Sequence, residues 1–271
     1  MRKRLLSDEK DAMRTGFIGT GAITEALVTG LCTSKGGIGS ITVSPRNEDK
    51  SKLLQKRFSQ VTVGRSNQDV VDKSDIVVLA FLPRDRGSVL DSLKFRNDQI
   101  LVNLLSGTQN SQIAAHTNSS CFISRAVPLP CAAEHIGPIV VFPDNDTVNQ
   151  LFKNVGTVIT VESEEQLESL SVITSLMAPY FQMLATITDW AIQTGVEQKQ
   201  AGDYTAAMFE ALSALARKSP GGRLRQLADE SMTPGGLNEL ARKTINESGG
   251  FEFLKPALQA VADRVRGGKS R

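Results

Sequence analysis

The chain has 271 residues, room for two modest domains, with 40% hydrophobic and 22% charged residues, an ordinary composition for a globular protein. A net charge of +2 and an aromatic content of 5% argue against nucleic acid as the main partner, since neither a basic surface nor a base-stacking platform is provided. Three cysteines, Cys32, Cys121 and Cys131, show no ligand spacing, which points away from a zinc site or disulfide framework and towards a reducing, cytoplasmic setting.

Residues 1–12, "MRKRLLSDEKDA", read as a polar tail without the apolar core of a signal peptide. Residues 15–19, "TGFIG", read as a buried strand running into a glycine turn, and "AITEALVTGLCTS" then has helical period, with Ile23, Ala26, Leu27 and Leu31 on one face. Further strands are expected at 40–47, 61–64, 76–83, 100–107, 121–130 and 137–143, with helices over "EDKSKLLQKRF" and "NQDVVDKSD". The strands are apolar without alternation, as strands covered on both faces are. Strands alternating with helices predict a doubly wound, mostly parallel α/β domain over residues 13–162.

From residue 163 the pattern changes. "SEEQ" has a capping-box form at Ser163 and Gln166, and no strand-like stretch follows it. "DYTAAMFEALSALARK" is amphipathic, and "TPGGLNELARKTINESGG" and "FEFLKPALQAVADRVRGG" each read as a turn followed by a helix. An all-helical second domain is therefore expected over residues 163–271. No apolar run is seen that approaches the ~18 residues of a membrane span.

Gly19-x-Gly21-x-x-Thr24 closes the first strand and opens the first helix, the context a dinucleotide-binding turn requires. The first glycine makes the turn, the second admits the pyrophosphate, and the helix N-terminus supplies free N–H groups to the anion. These considerations single out Gly19, Thr20, Gly21, Ala22 and Ile23. NAD sites usually place an acid about 20 residues on. Here the second strand ends "VSPRN", and the hydroxyl of Ser44, the guanidinium of Arg46 and the amide of Asn47 suit a 2′-phosphate, hence NADP(H). Among other candidates, His116 reads as solvated, His135 as a structural residue of a turn or as a proton donor to the product amine, Cys131 as an apolar filler of the same turn, and Tyr180 and Trp190 as helix-packing groups.

The chain resembles the pyrroline-5-carboxylate reductase family from Gly16 to about Arg264. "GFIGTGAITEAL" is similar to the family's opening, "VSPRN" to its NADP loop and "VVLAFLP" to its fourth strand and nicotinamide-side turn. "SRAVPLPCA" and "APYF" follow in order, and "MTPGG" and "ESGGF" are the most specific matches. The resemblance implies an N-terminal Rossmann domain and a C-terminal helical domain that interlocks with a second subunit, giving a homodimer or higher oligomer. It implies NADPH-dependent reduction of a cyclic imino acid, most simply 1-pyrroline-5-carboxylate to proline. It adds Ala80, Phe81, Leu82 and Pro83 to the cofactor site, and makes Thr233, Pro234, Gly235, Gly236, Leu237 and Asn238 the substrate loop. Asn238 stands as the catalytic candidate there, where the family has a hydroxyl. The chain departs from the family at Leu82, where lysine is usual, at Leu129-Pro130 and at Asn238. Those departures leave two alternatives open: a related imine or carbonyl reductase, or a catalytically weak NADP-binding sensor. No metal, nucleic acid or membrane is expected.

Overall fold

The computed structural model describes residues 13–36, 38–117 and 120–267; the expected tail at 1–12 lies outside them. The chain forms two compact units. The first runs to Ser171 and takes in the end of the last helix from Val265, and the second is Val172–Arg264.

The first unit is built on one eight-stranded sheet. Its strands are β1 (Thr15–Ile18), β2 (Ile41–Val43), β3 (Val61–Val63), β4 (Ile76–Leu79), β5 (Ile100–Asn103), β6 (Phe122–Val127), β7 (Pro138–Phe142) and β8 (Thr157–Thr160). They lie in the order β3-β2-β1-β4-β5-β6-β7-β8, and every neighbouring pair is parallel except β6 with β7. The helices between them are α1 (Ala22–Thr33), α2 (Glu48–Arg57), α3 (Asn67–Asp72), α4 (Arg86–Leu90), α5 (Asn110–Ala114) and α6 (Asp146–Lys153). The expected strands are present but shorter. Their C-terminal residues, such as Ala80 to Pro83, leave the sheet and form the loops that line the cleft. The sheet's last strand, β8, was not foreseen. "TVIT" is short and mostly exposed at the sheet edge, so it carries no buried apolar run to betray it.

Apolar side chains fill both faces of the sheet, one around Phe17, Leu27, Leu31 and Phe152 and the other around Ile18, Leu79, Leu101 and Ile113. Helix α1 sits especially close to the turn Pro130–Glu134, because Gly30 has no side chain there. A Cβ on Gly30 would lie 2.2 Å from the Ala132 carbonyl oxygen. Arg125 of β6 is 2% exposed. It is held by Glu164 at 3.4 Å and Glu168 at 3.3 Å, both on α7 (Glu164–Ile173). Glu164 also accepts the N–H of Asn110 at 2.9 Å. A buried guanidinium thus finds two carboxylates, as burial of a charge demands. At the start of α7, Ser163 accepts the Gln166 N–H at 3.2 Å, while the Gln166 side chain accepts from Glu162 rather than from Ser163.

The second unit is helical, with α8 (Met177–Gln193), α9 (Gln198–Lys218), α10 (Leu224–Glu230), α11 (Leu237–Glu247) and α12 (Leu254–Arg266). Helices α8 and α9 pack as a hairpin, with Tyr180 edge-on to Phe209 at 6.3 Å. Large apolar groups remain uncovered, including Phe181, Trp190, Leu215 and Phe253. One point of the sequence reading is corrected. The helical run Glu164–Gln193 is, by length and composition, apolar enough to cross a membrane, although little of it is buried within the chain. Scattered Glu, Ser and Thr residues hide that run from a count of consecutive apolar residues.

Gly30→Ala is expected to lower stability by about 1–3 kcal/mol, as overpacking against a backbone carbonyl does. Chemical denaturation checks this; a loss below a few tenths of a kcal/mol would mean that α1 can shift freely.

Candidate active site

The chain reverses its direction of strand addition between β1 and β4, and at that switch point an α/β sheet opens a crevice at the C-terminal ends of its strands. A cleft of about 840 Å³ lies there, with Gly19, Gly21, Arg46, Phe81, Leu82 and Asp85 in its wall.

The glycine turn is its floor. Gly19 has φ +98°, and a Cβ on it would stand 2.4 Å from the Ala80 carbonyl oxygen, so β1 and β4 can meet only through glycine. Gly21 is different, since a Cβ there would meet nothing within 4 Å. The space over Gly21 is the cleft itself. Gly21 is also the N-cap of α1, whose first intrahelical bond is Glu25 N–H to the Gly21 carbonyl at 3.0 Å. The N–H groups of Ala22, Ile23 and Thr24 precede that bond and form an anion-binding end. Thr24, the departure from a third small residue, is fully buried and donates its hydroxyl to the Gly19 carbonyl at 2.6 Å. It fastens the turn where glycine or alanine would only pack. An open glycine at a helix N-terminus fits a dinucleotide pyrophosphate.

Most of the residues singled out for the cofactor line this cleft: Gly19, Thr20, Gly21, Ile23, Arg46, Asn47 and the Ala80–Pro83 stretch. Ser44 does not, and its expected role is corrected. It is 0% exposed. Its Oγ accepts the Gly19 N–H at 2.9 Å and sits 3.2 Å from the Thr20 hydroxyl, which itself donates to the Ser44 carbonyl at 2.8 Å. Ser44 therefore shapes the turn rather than meeting a phosphate. Ala22 is not in the wall and belongs to the helix end. Glu48, Asp49, Asp85, Leu104 and Ser106 line the cleft without having been foreseen. Glu48 and Asp49 were legible as the first turn of α2, directly after Arg46. Asp85, Leu104 and Ser106 reach the cleft through strand pairing. Lys52 hydrogen-bonds Glu48 and holds its carboxyl below the usual range, so it stays anionic.

The second unit carries the expected substrate loop. Gly236, the N-cap of α11, would bring a Cβ to 2.9 Å from the Thr233 carbonyl oxygen, so glycine is needed for the turn to close. Gly235 has φ +71°, again a glycine position. The N–H groups of Leu237, Asn238 and Glu239 precede the first intrahelical bond, from Leu240 to Gly236 at 3.1 Å. Two features differ from the expectation of an open cradle. Glu239 turns its own carboxylate onto the Gly235 N–H at 2.6 Å. Asn238 donates its side-chain amide to the Ser231 carbonyl at 2.8 Å, so it is not held as a free donor for a ring nitrogen. Leu237 is 85% exposed at the loop and Leu82 53% exposed in the cleft.

The remaining candidates fall into structural roles. His135 is in the left-handed region with both ring nitrogens engaged, by the Asn154 carbonyl at 2.8 Å and the Thr33 hydroxyl at 3.0 Å. His116 is not simply solvated but pairs with Asp91 at 2.7 Å. Leu129 is outside the cleft wall. Burial pushes the Cys32 thiol up to about 11, which removes it as a nucleophile at neutral pH. Among the described residues no cluster of His, Cys, Asp and Glu could hold a metal ion.

Fold and cleft together define an NADP-dependent oxidoreductase of the Rossmann class. Residues 14–107 match the family model "NADP oxidoreductase coenzyme F420-dependent", and residues 164–267 match "Pyrroline-5-carboxylate reductase dimerisation". The chain is 22% identical to pyrroline-5-carboxylate reductase 2 of Bacillus subtilis, over 93% of each chain. It is 26% identical to the pyrroline-5-carboxylate reductase of Mycobacterium tuberculosis, over 93% of this chain and 95% of that one. The structure of 1-pyrroline-5-carboxylate reductase from Streptococcus pyogenes shares the fold, with a TM-score of 0.81 at 18% identity, covering 94% of this chain and 99% of the other. Over nearly its whole length the chain is thus similar to pyrroline-5-carboxylate reductases.

Gly21→Ala is expected to leave folding intact, because the methyl enters open space, yet to weaken NADPH binding by about tenfold or more, ~1.4 kcal/mol. Gly19→Ala should instead lose folded protein. A nucleotide titration beside a thermal melt of each variant checks both; unchanged NADPH affinity in Gly21→Ala would remove the pyrophosphate from this turn.

Proposed function

We propose that the protein reduces the C=N bond of a cyclic imino acid with NADPH, most simply 1-pyrroline-5-carboxylate to proline. The observation that carries the reading is the joining, in one chain, of an open dinucleotide cleft to a pyrroline-5-carboxylate reductase dimerisation domain with its Thr-Pro-Gly-Gly turn. When bound, the cofactor supplies the hydride for the imine carbon. The chain supplies position. The N-terminus of α1 holds the pyrophosphate, Arg46 and Asn47 take the adenosine end, and Phe81, Leu82 and Pro83 wall the cleft. A cyclic imine that arrives protonated needs no strong general acid, which agrees with the engaged histidines and with Asn238 bonded to its own loop. Orientation then provides most of the rate.

The loop at residues 233–238, with the first turn of α11, binds the substrate carboxylate through backbone N–H groups and the helix dipole. Glu239 presents a carboxylate to the same loop, so an incoming carboxylate competes with it for the Gly235 N–H. The uncovered apolar faces of the helical unit support a homodimer, in which the apolar run from 164 to 193 packs against a second copy rather than lipid. No disulfide joins Cys32, Cys121 and Cys131, which supports a reducing, cytoplasmic compartment.

The wild type is expected to oxidise NADPH with 1-pyrroline-5-carboxylate and release proline, read by nicotinamide absorbance and amino-acid analysis. Glu239→Gln is expected to lower KM for that substrate by about fivefold, close to 1 kcal/mol, with kcat little changed; a higher KM would show that Glu239 helps the loop rather than competes for it. Light scattering at micromolar concentration should give at least twice the 29.3 kDa chain mass, and a monomer would leave the helical faces without their partner.

A further inference from the structure

Among the described residues Arg46 is the only cation in the cleft wall, against three carboxylates, Glu48, Asp49 and Asp85. It does not stand free. Its Nη1 donates to Asp85 Oδ2 at 2.9 Å, joining the turn after β2 to the turn after β4. The two partners are unequal: the Asp85 side chain is 22% exposed and that of Arg46 69%. The carboxylate is thus the more enclosed partner, with the Arg84 Nε 3.9 Å from its other oxygen, and the guanidinium is the more exposed one. The other acids in the wall are placed differently: Glu48 is tied to Lys52, and Asp49 follows it in the first turn of α2.

We propose that Asp85 sets how strongly this protein discriminates NADPH from NADH, by occupying the Arg46 guanidinium that the 2′-phosphate needs. The inference rests on reading this cleft as the NADP site. Asp85 takes one of the five Arg46 donors and holds the guanidinium towards the turn after β4, so the 2′-phosphate of NADPH competes with it for the orientation of the fork and sits near a carboxylate. NADH carries a hydroxyl at that position and binds with the pair intact. The cost of the pair therefore falls on one cofactor only. A ligand that needs a released group binds with an affinity reduced by the fraction of protein in which that group is free. Asp85 touches neither the transferred hydride nor the imine; it is a positioning residue for Arg46.

The test is a set of nucleotide dissociation constants, read by nicotinamide fluorescence without any imine, for the full chain carrying Asp85→Asn, Asp85→Ala, Arg46→Ala and Arg46→Ala with Asp85→Asn. Both Asp85 variants are expected to bind NADPH about three- to tenfold more tightly, with NADH unchanged within twofold. On the Arg46→Ala background Asp85→Asn should lose most of its selective effect, since the two act as one pair. Weaker NADPH binding by both Asp85 variants would overturn the proposal, showing that Asp85 orients Arg46 for the phosphate. An equal change for both cofactors would overturn it too, as a general effect of charge or folding. Binding of neither nucleotide by the wild type would sink the cofactor reading of the cleft and this inference with it. Failure to turn over 1-pyrroline-5-carboxylate bears on the substrate and leaves these constants as they are.

Discussion

The approach of Gly19 to the Ala80 carbonyl is the contact on which the active half of the molecule depends. It lets β1 and β4 run side by side to their ends and then separate, and the cleft is the space created by that separation. Every other device around it serves the same turn. The Ala80 N–H donates to the Ile18 carbonyl at 2.8 Å, the Ser44 hydroxyl takes the Gly19 N–H, and the Thr24 hydroxyl takes the Gly19 carbonyl. Three strands and one helix are thereby referred to a single residue that tolerates a positive φ and has no side chain. A buried turn with its polar groups paired internally is also rigid, which suits a site whose chemistry is mainly positioning.

The electrostatics follow a different logic from the packing. The floor of the cleft offers backbone dipoles and no side-chain charge, while the side towards α2 offers, among the described residues, one guanidinium among carboxylates. Arg46 commits one of its donors to Asp85. The helical unit repeats the theme at the 233–238 loop, where the Glu239 carboxylate accepts the Gly235 N–H. In both places a carboxylate of the chain itself occupies a donor group at the end of a turn.

The helical unit also shows why its apolar surface has to be read together with a partner. Trp190, Tyr204, Leu215, Leu237 and Phe253 are more than half exposed. Large apolar groups exposed in such number are uncommon on a chain that stands alone. Residues 164–267, which carry these side chains, match a dimerisation family model.

Much of this was legible in the order of residues alone. Buried parallel strands declare themselves as unbroken apolar runs, and the glycine turn declares itself by standing between such a run and a helical period, so the Rossmann fold, the NADP cleft and the change to helices near residue 163 could be read directly. These are local properties, set by backbone freedom at glycine and by the period of side chains along one element. What could not be read are relations between distant segments. Ser44 looked like a phosphate ligand until folding placed its hydroxyl against Gly19, and the sheet-edge strand β8 carries too little buried surface to announce itself. Asp85 and Arg46, 39 positions apart, meet only because β2 and β4 flank β1. Glu239 reaches the Gly235 N–H through the left-handed backbone between them. A hydrogen bond needs a distance and an angle as well as a donor and an acceptor, and those are fixed when the strands pair and the turns close.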